Sequence, residues 1–117
     1  MKYSNPRTEA VFTDWPIGRL QRTTARFWIE SDPKHGERGM RTTINPKTGR
    51  PSAPKKLTYA SKARIVDGDD GKTYIAMLSS SYRLVSVMQS NMQFQAESIN
   101  ESGDPARYAE MIALFEE

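Results

Sequence analysis

The chain has 117 residues, no cysteine, a single histidine, 26% charged side chains and a formal net charge of +3. Lack of cysteine excludes disulfides, thiolate metal sites and a cysteine nucleophile, and one histidine is too few for most zinc centres. No apolar run approaches the roughly 18 residues of a membrane span, and residues 1–7 lack the apolar centre of a secretion signal. The expectation is one domain over residues 1–117, cytoplasmic and without membrane contact.

The charge is divided along the chain. Residues 1–66 hold 14 Lys/Arg against 5 Asp/Glu, a balance of +9, and residues 67–117 hold 3 against 9, a balance of −6. The first half therefore offers a cationic surface to a phosphate backbone or to an acidic protein, unless the two halves pack together and neutralise each other.

In chain order, residues 1–8 are polar, contain Pro6 and are expected to be loosely held. A short strand is expected over residues 10–14, ended by Trp15-Pro16 and Gly18, with Trp15 as a core or lid residue. Residues 20–31 alternate. Ala25, Phe27 and Ile29 share one face with Gln21 and Thr23, while Leu20, Arg22, Thr24, Arg26, Trp28 and Glu30 share the other. Asp32-Pro33-Lys34-His35-Gly36 reads as a turn, and residues 37–45 as the returning strand, with Met40 and Ile44 inward and Arg38 near its solvated end.

Residues 45–56 carry no periodic pattern. Three prolines deny them a central sheet position, and they hold Lys47, Arg50, Lys55 and Lys56 with no acid. An exposed, partly extended loop is expected. Residues 57–66 and 72–78 then form the strongest hairpin signal in the chain, joined by Asp67-Gly68-Asp69-Asp70-Gly71. Leu57, Tyr59, Ala63 and Ile65 alternate with Thr58, Lys62 and Arg64, and the return arm is rich in β-branched and aromatic residues.

Ser79-Ser80-Ser81 reads as a further turn and residues 82–88 as a strand. Residues 89–99 satisfy both strand and helix spacing, and an extended strand with a bend near Ser90 is preferred. At the C-terminus Asp104 can cap, Pro105 suits a first helical position, and Tyr108, Met111, Ile112 and Phe115 make an apolar stripe, so a helix is expected from Pro105 to about Glu116. The fold class is α+β: a twisted antiparallel sheet or small barrel of five to six strands with one C-terminal helix.

The inventory is poor for catalysis. His35 lies in a turn, and the Asp67, Asp69 and Asp70 cluster fails as a calcium loop because Lys72 and Leu78 stand where a glycine and a bidentate glutamate are needed. No catalytic residue, metal site or cofactor is assigned, and the chain is read as not an enzyme.

Binding signals are richer. Arg22, Thr24, Arg26 and Trp28 share a strand face, with Arg41 and Thr43 expected beside them on the next strand, and cations interleaved with an aromatic suit single-stranded nucleic acid. The competing account packs this face beneath the C-terminal helix, against which the two arginines speak, since unpaired buried cations are costly. Thr48-Gly49-Arg50-Pro51, with Lys47 before it, resembles the AT-hook, a minor-groove motif whose core is Arg-Gly-Arg-Pro, although Thr48 stands at the first core arginine. The resemblance implies A·T-rich DNA as a partner. Met88, Met92 and Phe94 suit a core, or an edge strand that joins two copies into a homodimer.

Two functional expectations follow. The first is a small nucleic-acid-binding protein, DNA before RNA, using Arg22, Arg26, Trp28, Arg41, Lys47, Arg50, Lys55 and Lys56. The second is a protein–protein interaction module, such as a small inhibitor or accessory subunit that meets an acidic partner.

Overall fold

The computed structural model of the chain describes residues 2–79, 81–87 and 96–116. The described residues form β1 (Tyr3–Arg7), β2 (Glu9–Pro16), β3 (Arg22–Asp32), β4 (Gly36–Thr43), β5 (Lys55–Lys56), β6 (Lys62–Gly68), β7 (Thr73–Leu78), β8 (Tyr82–Ser86), β9 (Ala96–Ile99) and α1 (Pro105–Ala113). They build two antiparallel sheets, β1-β6-β7-β8-β9 and β2-β3-β4-β5. The α+β class stands, and the described residues form nine strands in two sheets where five or six in one sheet or barrel were expected. Among these residues no helix is long and apolar enough to cross a membrane.

The five-stranded sheet is the middle layer. On one side Ala63, Ile65, Ile75, Met77, Val85 and Val87 meet Trp15, Ala25 and Phe27 of the four-stranded sheet. On the other, Val66, Ala76, Tyr82, Leu84 and Ile99 meet Met111 and Phe115 from the C-terminal segment. Strands buried on both faces read as near-continuous apolar runs, which explains why Ala76-Met77-Leu78 breaks alternation. The hairpin of β6 and β7 pairs as expected, from Lys62 opposite Leu78 to Asp67 opposite Thr73.

The Asp104 carboxylate accepts the Arg107 backbone N–H at 3.1 Å and starts α1. The helix ends at Ala113, short of Glu116, because its last turn tightens: Leu114 N–H donates to the Met111 carbonyl and Phe115 N–H to that of Ile112. The tightened turn still brings Phe115 onto the Tyr82 ring, with centroids 5.7 Å apart.

Residues 3–7 are not loose. β1 pairs with β6, with Tyr3 opposite Gly68 and Arg7 opposite Ile65. The acidic turn holds it there: Asp67 accepts from Asn5 Nδ2 at 3.0 Å and from Arg7 Nη2 at 3.0 Å, and Asp69 accepts from the Lys2 N–H at 3.1 Å. Nothing in the polar sequence of residues 1–8 signals a strand, because its partners lie sixty residues away. After Thr8 the chain continues directly into β2, so one extended segment serves both sheets. The 55–68 segment does the same on the other side, through β5, the Glu37–Ala60 bridge and β6.

The register of β3 against β4 overturns one expectation. Asp32 lies opposite Gly36, whose φ of +94° lets the chain reverse, and this sets Phe27 opposite Arg41 and Trp28 opposite Met40. Arg41, Gly39 and Glu37 therefore face inward, while Met40 shares the outer face with Trp28, and Ile44, bonded to the Thr24 carbonyl, follows it. Turn geometry sets register, and a shift of one residue moves every side chain to the other face. Gly39 makes the arrangement possible: a Cβ there would stand 2.8 Å from Ile75 Cδ1, so the opposite sheet fills the space that β4 leaves. The bend expected at Ser90 and the residues Met88, Met92 and Phe94 lie outside the described residues.

Candidate nucleic-acid interface

Alternation in β3 puts Arg22, Thr24, Arg26 and Trp28 on the outer face of the four-stranded sheet, away from α1. Neighbouring strands extend that face into rows. One runs Glu9, Trp28, Met40, Lys56, and the next runs Val11, Arg26, Thr42. Arg22 and Arg26 are exposed, and among the described residues neither stands within ion-pairing distance of a carboxylate. Trp28 is half-buried, flanked by the buried Met40.

The basic segment is an arm beside this face. The Ile44–Pro51 bridge closes it, Ser52 N–H donates to the Thr43 carbonyl, and Lys55 and Lys56 pair with Arg41 and Met40. Its tip is compact, not extended. Gly49 takes φ +70° and donates to the Asn45 carbonyl at 2.7 Å, and the Asn45 side chain accepts from Lys47 N–H at 2.9 Å. The turn chemistry of asparagine and glycine thus overrides the ribbon shape that the AT-hook resemblance implies, and only residues 51–56 run extended. All of residues 45–56 are exposed, as expected of the four cations.

Pro51 and Pro54 of the arm, with Val11, Arg26, Trp28 and Ile44, line a groove of about 830 Å³ on the outer face; Glu9 also lines it. Arg22, Arg26, Trp28 and Lys56 thus share a face, with Lys47 and Arg50 at the tip of the adjoining arm. Val11 and Pro54 were not assigned to a site from the sequence, Ile44 was expected to face inward, and Pro51 entered only through the AT-hook resemblance. The parity of Val11 was open to reading, but the contribution of the prolines depends on how the arm folds back.

Arg41 does not join them. It is 3% exposed, on the inner face, with its guanidinium 5.1 Å from the Trp15 ring centre and 5.8 Å from that of Phe27. Its Nη1 donates to the Val87 carbonyl at 3.4 Å, and burial lowers its pKa. Ring faces and a carbonyl supply part of what water would. The charge expected on the outer face with Arg22 and Arg26 therefore lies beneath the sheet.

Elsewhere, Tyr59 is held between His35, stacked at 5.3 Å, and the Arg38 guanidinium at 4.5 Å. Glu37 crosses from the four-stranded sheet to accept from Arg64 and from the Ala63 N–H. Among the described residues no group of three or more His, Cys, Asp or Glu side chains is arranged to hold a metal ion. Comparison with family models, curated proteins and solved structures finds no match.

Proposed function

We propose that this chain is a non-enzymatic nucleic-acid-binding protein that takes a single strand across the outer face of the four-stranded sheet. The observation that carries the reading is the row set around Arg26 and Trp28, with neither arginine of that face paired to a carboxylate among the described residues. A half-buried indole has a ring available for a base, and the flanking cations suit phosphates. The exposed arm adds Lys47, Arg50 and Lys56 to the same strand path, whereas Lys55, opposite the inward Arg41, stands on the other side of the arm.

The test is binding of labelled single-stranded DNA and RNA across a salt series. Changing Lys47, Arg50, Lys55 and Lys56 together to serine should weaken binding and flatten the salt dependence by up to about three units of slope. Trp28→Ala should weaken binding while leaving that slope nearly unchanged, because stacking releases no counterions. If both variants bind as the wild type does, the face plays no part.

A protein partner with an acidic surface is the second reading, favoured by the exposed apolar side chains of Val11 (59% exposed) and Leu20 (93%) beside the same cations. It takes over should the wild type bind neither DNA nor RNA at about 50 mM salt.

A further inference from the structure

A second hollow, of about 600 Å³, opens on the inner side of β4, where the end of the sandwich meets the chain that follows β2. Trp15 and Ile17 give it an apolar side, and Arg41, Lys55, Thr43 and Ser52 give it a polar one. Among the described residues no carboxylate lines it. Arg41 and Lys55 are cross-strand partners, so the pairing of β4 with β5 sets two cations side by side at the hollow. Arg41 is a built-in part of the wall, held over Trp15 and Phe27 and 3% exposed.

A cation at a mostly buried wall acts on an entering anion with less screening than a solvated surface cation. Hydroxyl donors beside it complete a set suited to an oxyanion. The charge and donor number favour a phosphate group, which presents nearly two negative charges and three acceptor oxygens, over a carboxylate with one charge and two oxygens. The volume lies within the range of small-molecule sites and far exceeds what a bare phosphate fills. Ile17, 39% exposed, offers apolar surface to the remainder of such a molecule.

We propose that this hollow binds a phosphomonoester carried on a small, partly apolar body. Two sources share that chemistry, a free mononucleotide and the terminal phosphate of a nucleic-acid strand. The second source rests on the nucleic-acid reading above, and the first does not. Ser52 and Thr42 line both this hollow and the outer groove, so a strand end could pass from one to the other around the arm.

Calorimetric titration of the full chain with inorganic phosphate, adenosine monophosphate and adenosine at about 50 mM salt tests the site. Adenosine monophosphate should bind at least about tenfold more tightly than adenosine. Lys55→Ser, at an exposed position, and Thr43→Val, which keeps a β-branched strand residue, should each weaken the monophosphate severalfold without lowering the melting temperature. Lys34→Ser, in the turn between β3 and β4, should leave it unchanged. Equal binding of nucleotide and nucleoside overturns the proposal, as does absence of any phosphate or nucleotide binding, or a Lys55→Ser chain that binds as the wild type does. Oligonucleotides with a terminal phosphate or a terminal hydroxyl then separate the sources: a preference for the phosphate assigns the strand end, and equal binding assigns the free nucleotide. A chain that binds the monophosphate but no oligonucleotide keeps this site and refutes the outer-face reading; the reverse result keeps that reading and refutes this site.

Discussion

The two sheets of this protein each present one face away from the shared core, and the two faces have opposite fates. That of the five-stranded sheet carries Val66, Ala76, Tyr82, Leu84 and Ile99, and is roofed by Met111 and Phe115. That of the four-stranded sheet carries Arg22, Thr24, Arg26 and Trp28, and α1 packs elsewhere. An amphipathic helix goes where its stripe removes most apolar area from water without stranding a charge. The outward residues of β3 make their own sheet a poor site for it, and the same residues carry the cations on which the proposed binding rests. A single choice of side chains therefore gives one sheet a third layer, while among the described residues no helix packs on the outer face of the other.

The largest effect that can break this comparison is on stability. Met111→Ala removes a fully buried side chain from the roofed side and should cost roughly 2–5 kcal/mol in denaturant unfolding. Trp28→Ala on the outer face of the four-stranded sheet, where the ring is only half-buried, should cost less than about 1.5 kcal/mol despite deleting more atoms. Equal losses would mean that the outer face of the four-stranded sheet is as much a packing surface as the other.

Acid should loosen the roofed side next. The Arg107 hydrogen bonds, outweighing burial, hold the Glu97 carboxyl below its usual range and tie β9 to α1 at 2.6 Å and 3.2 Å. Burial alone would raise Asp67, but hydrogen bonds from Asn5, Arg7 and Thr73 and the charge of Arg7 bring it below its ordinary value. Both folded values are depressed, so their stabilisation is full above the unfolded carboxylate range and is lost as pH falls through the folded values, below about pH 4. The melting temperature should therefore drop on acidification through that window, and drop less in an Asp67→Asn, Glu97→Gln double variant. A double variant with the wild-type acid profile would show that these contacts do not hold β1 and α1 in place.

The smallest expected effect lies in the arm. Serine at Lys47, Arg50, Lys55 and Lys56 together should change unfolding free energy by no more than about 0.5 kcal/mol, since all four are exposed. A larger loss would make the arm part of the scaffold, and its proposed role in binding inseparable from folding.

Much of this arrangement is legible in the chain alone. Alternation places Ala25 and Phe27 inward and Arg22, Arg26 and Trp28 outward, and the β6–β7 hairpin follows from two periodic arms around an Asp-Gly turn. Asp104 and Pro105 announce the helix. The exposure of the arm follows from three prolines and four cations with no acid. These are local properties: a side-chain period, a cap and a turn residue act within a few neighbours, so the sequence carries them openly.

What needed the tertiary structure is whatever depends on a partner far along the chain. β1 exists because Asp67 and Asp69 lie where they can hold it, and no feature of residues 3–7 foretells that. Arg41 lies under the sheet and not on it because the turn between Asp32 and Gly36 sets the register, while Gly39 and the rings of Trp15 and Phe27 accept the consequence. The helix roofs one sheet and not the other because apolar area and charge are compared over whole faces, each assembled from strands that are remote in sequence. The amino-acid order by itself determined strands, caps and the composition of each strand's two sides. Which sides meet was decided by long-range pairing, since burial is a property of surfaces and not of residues taken in turn.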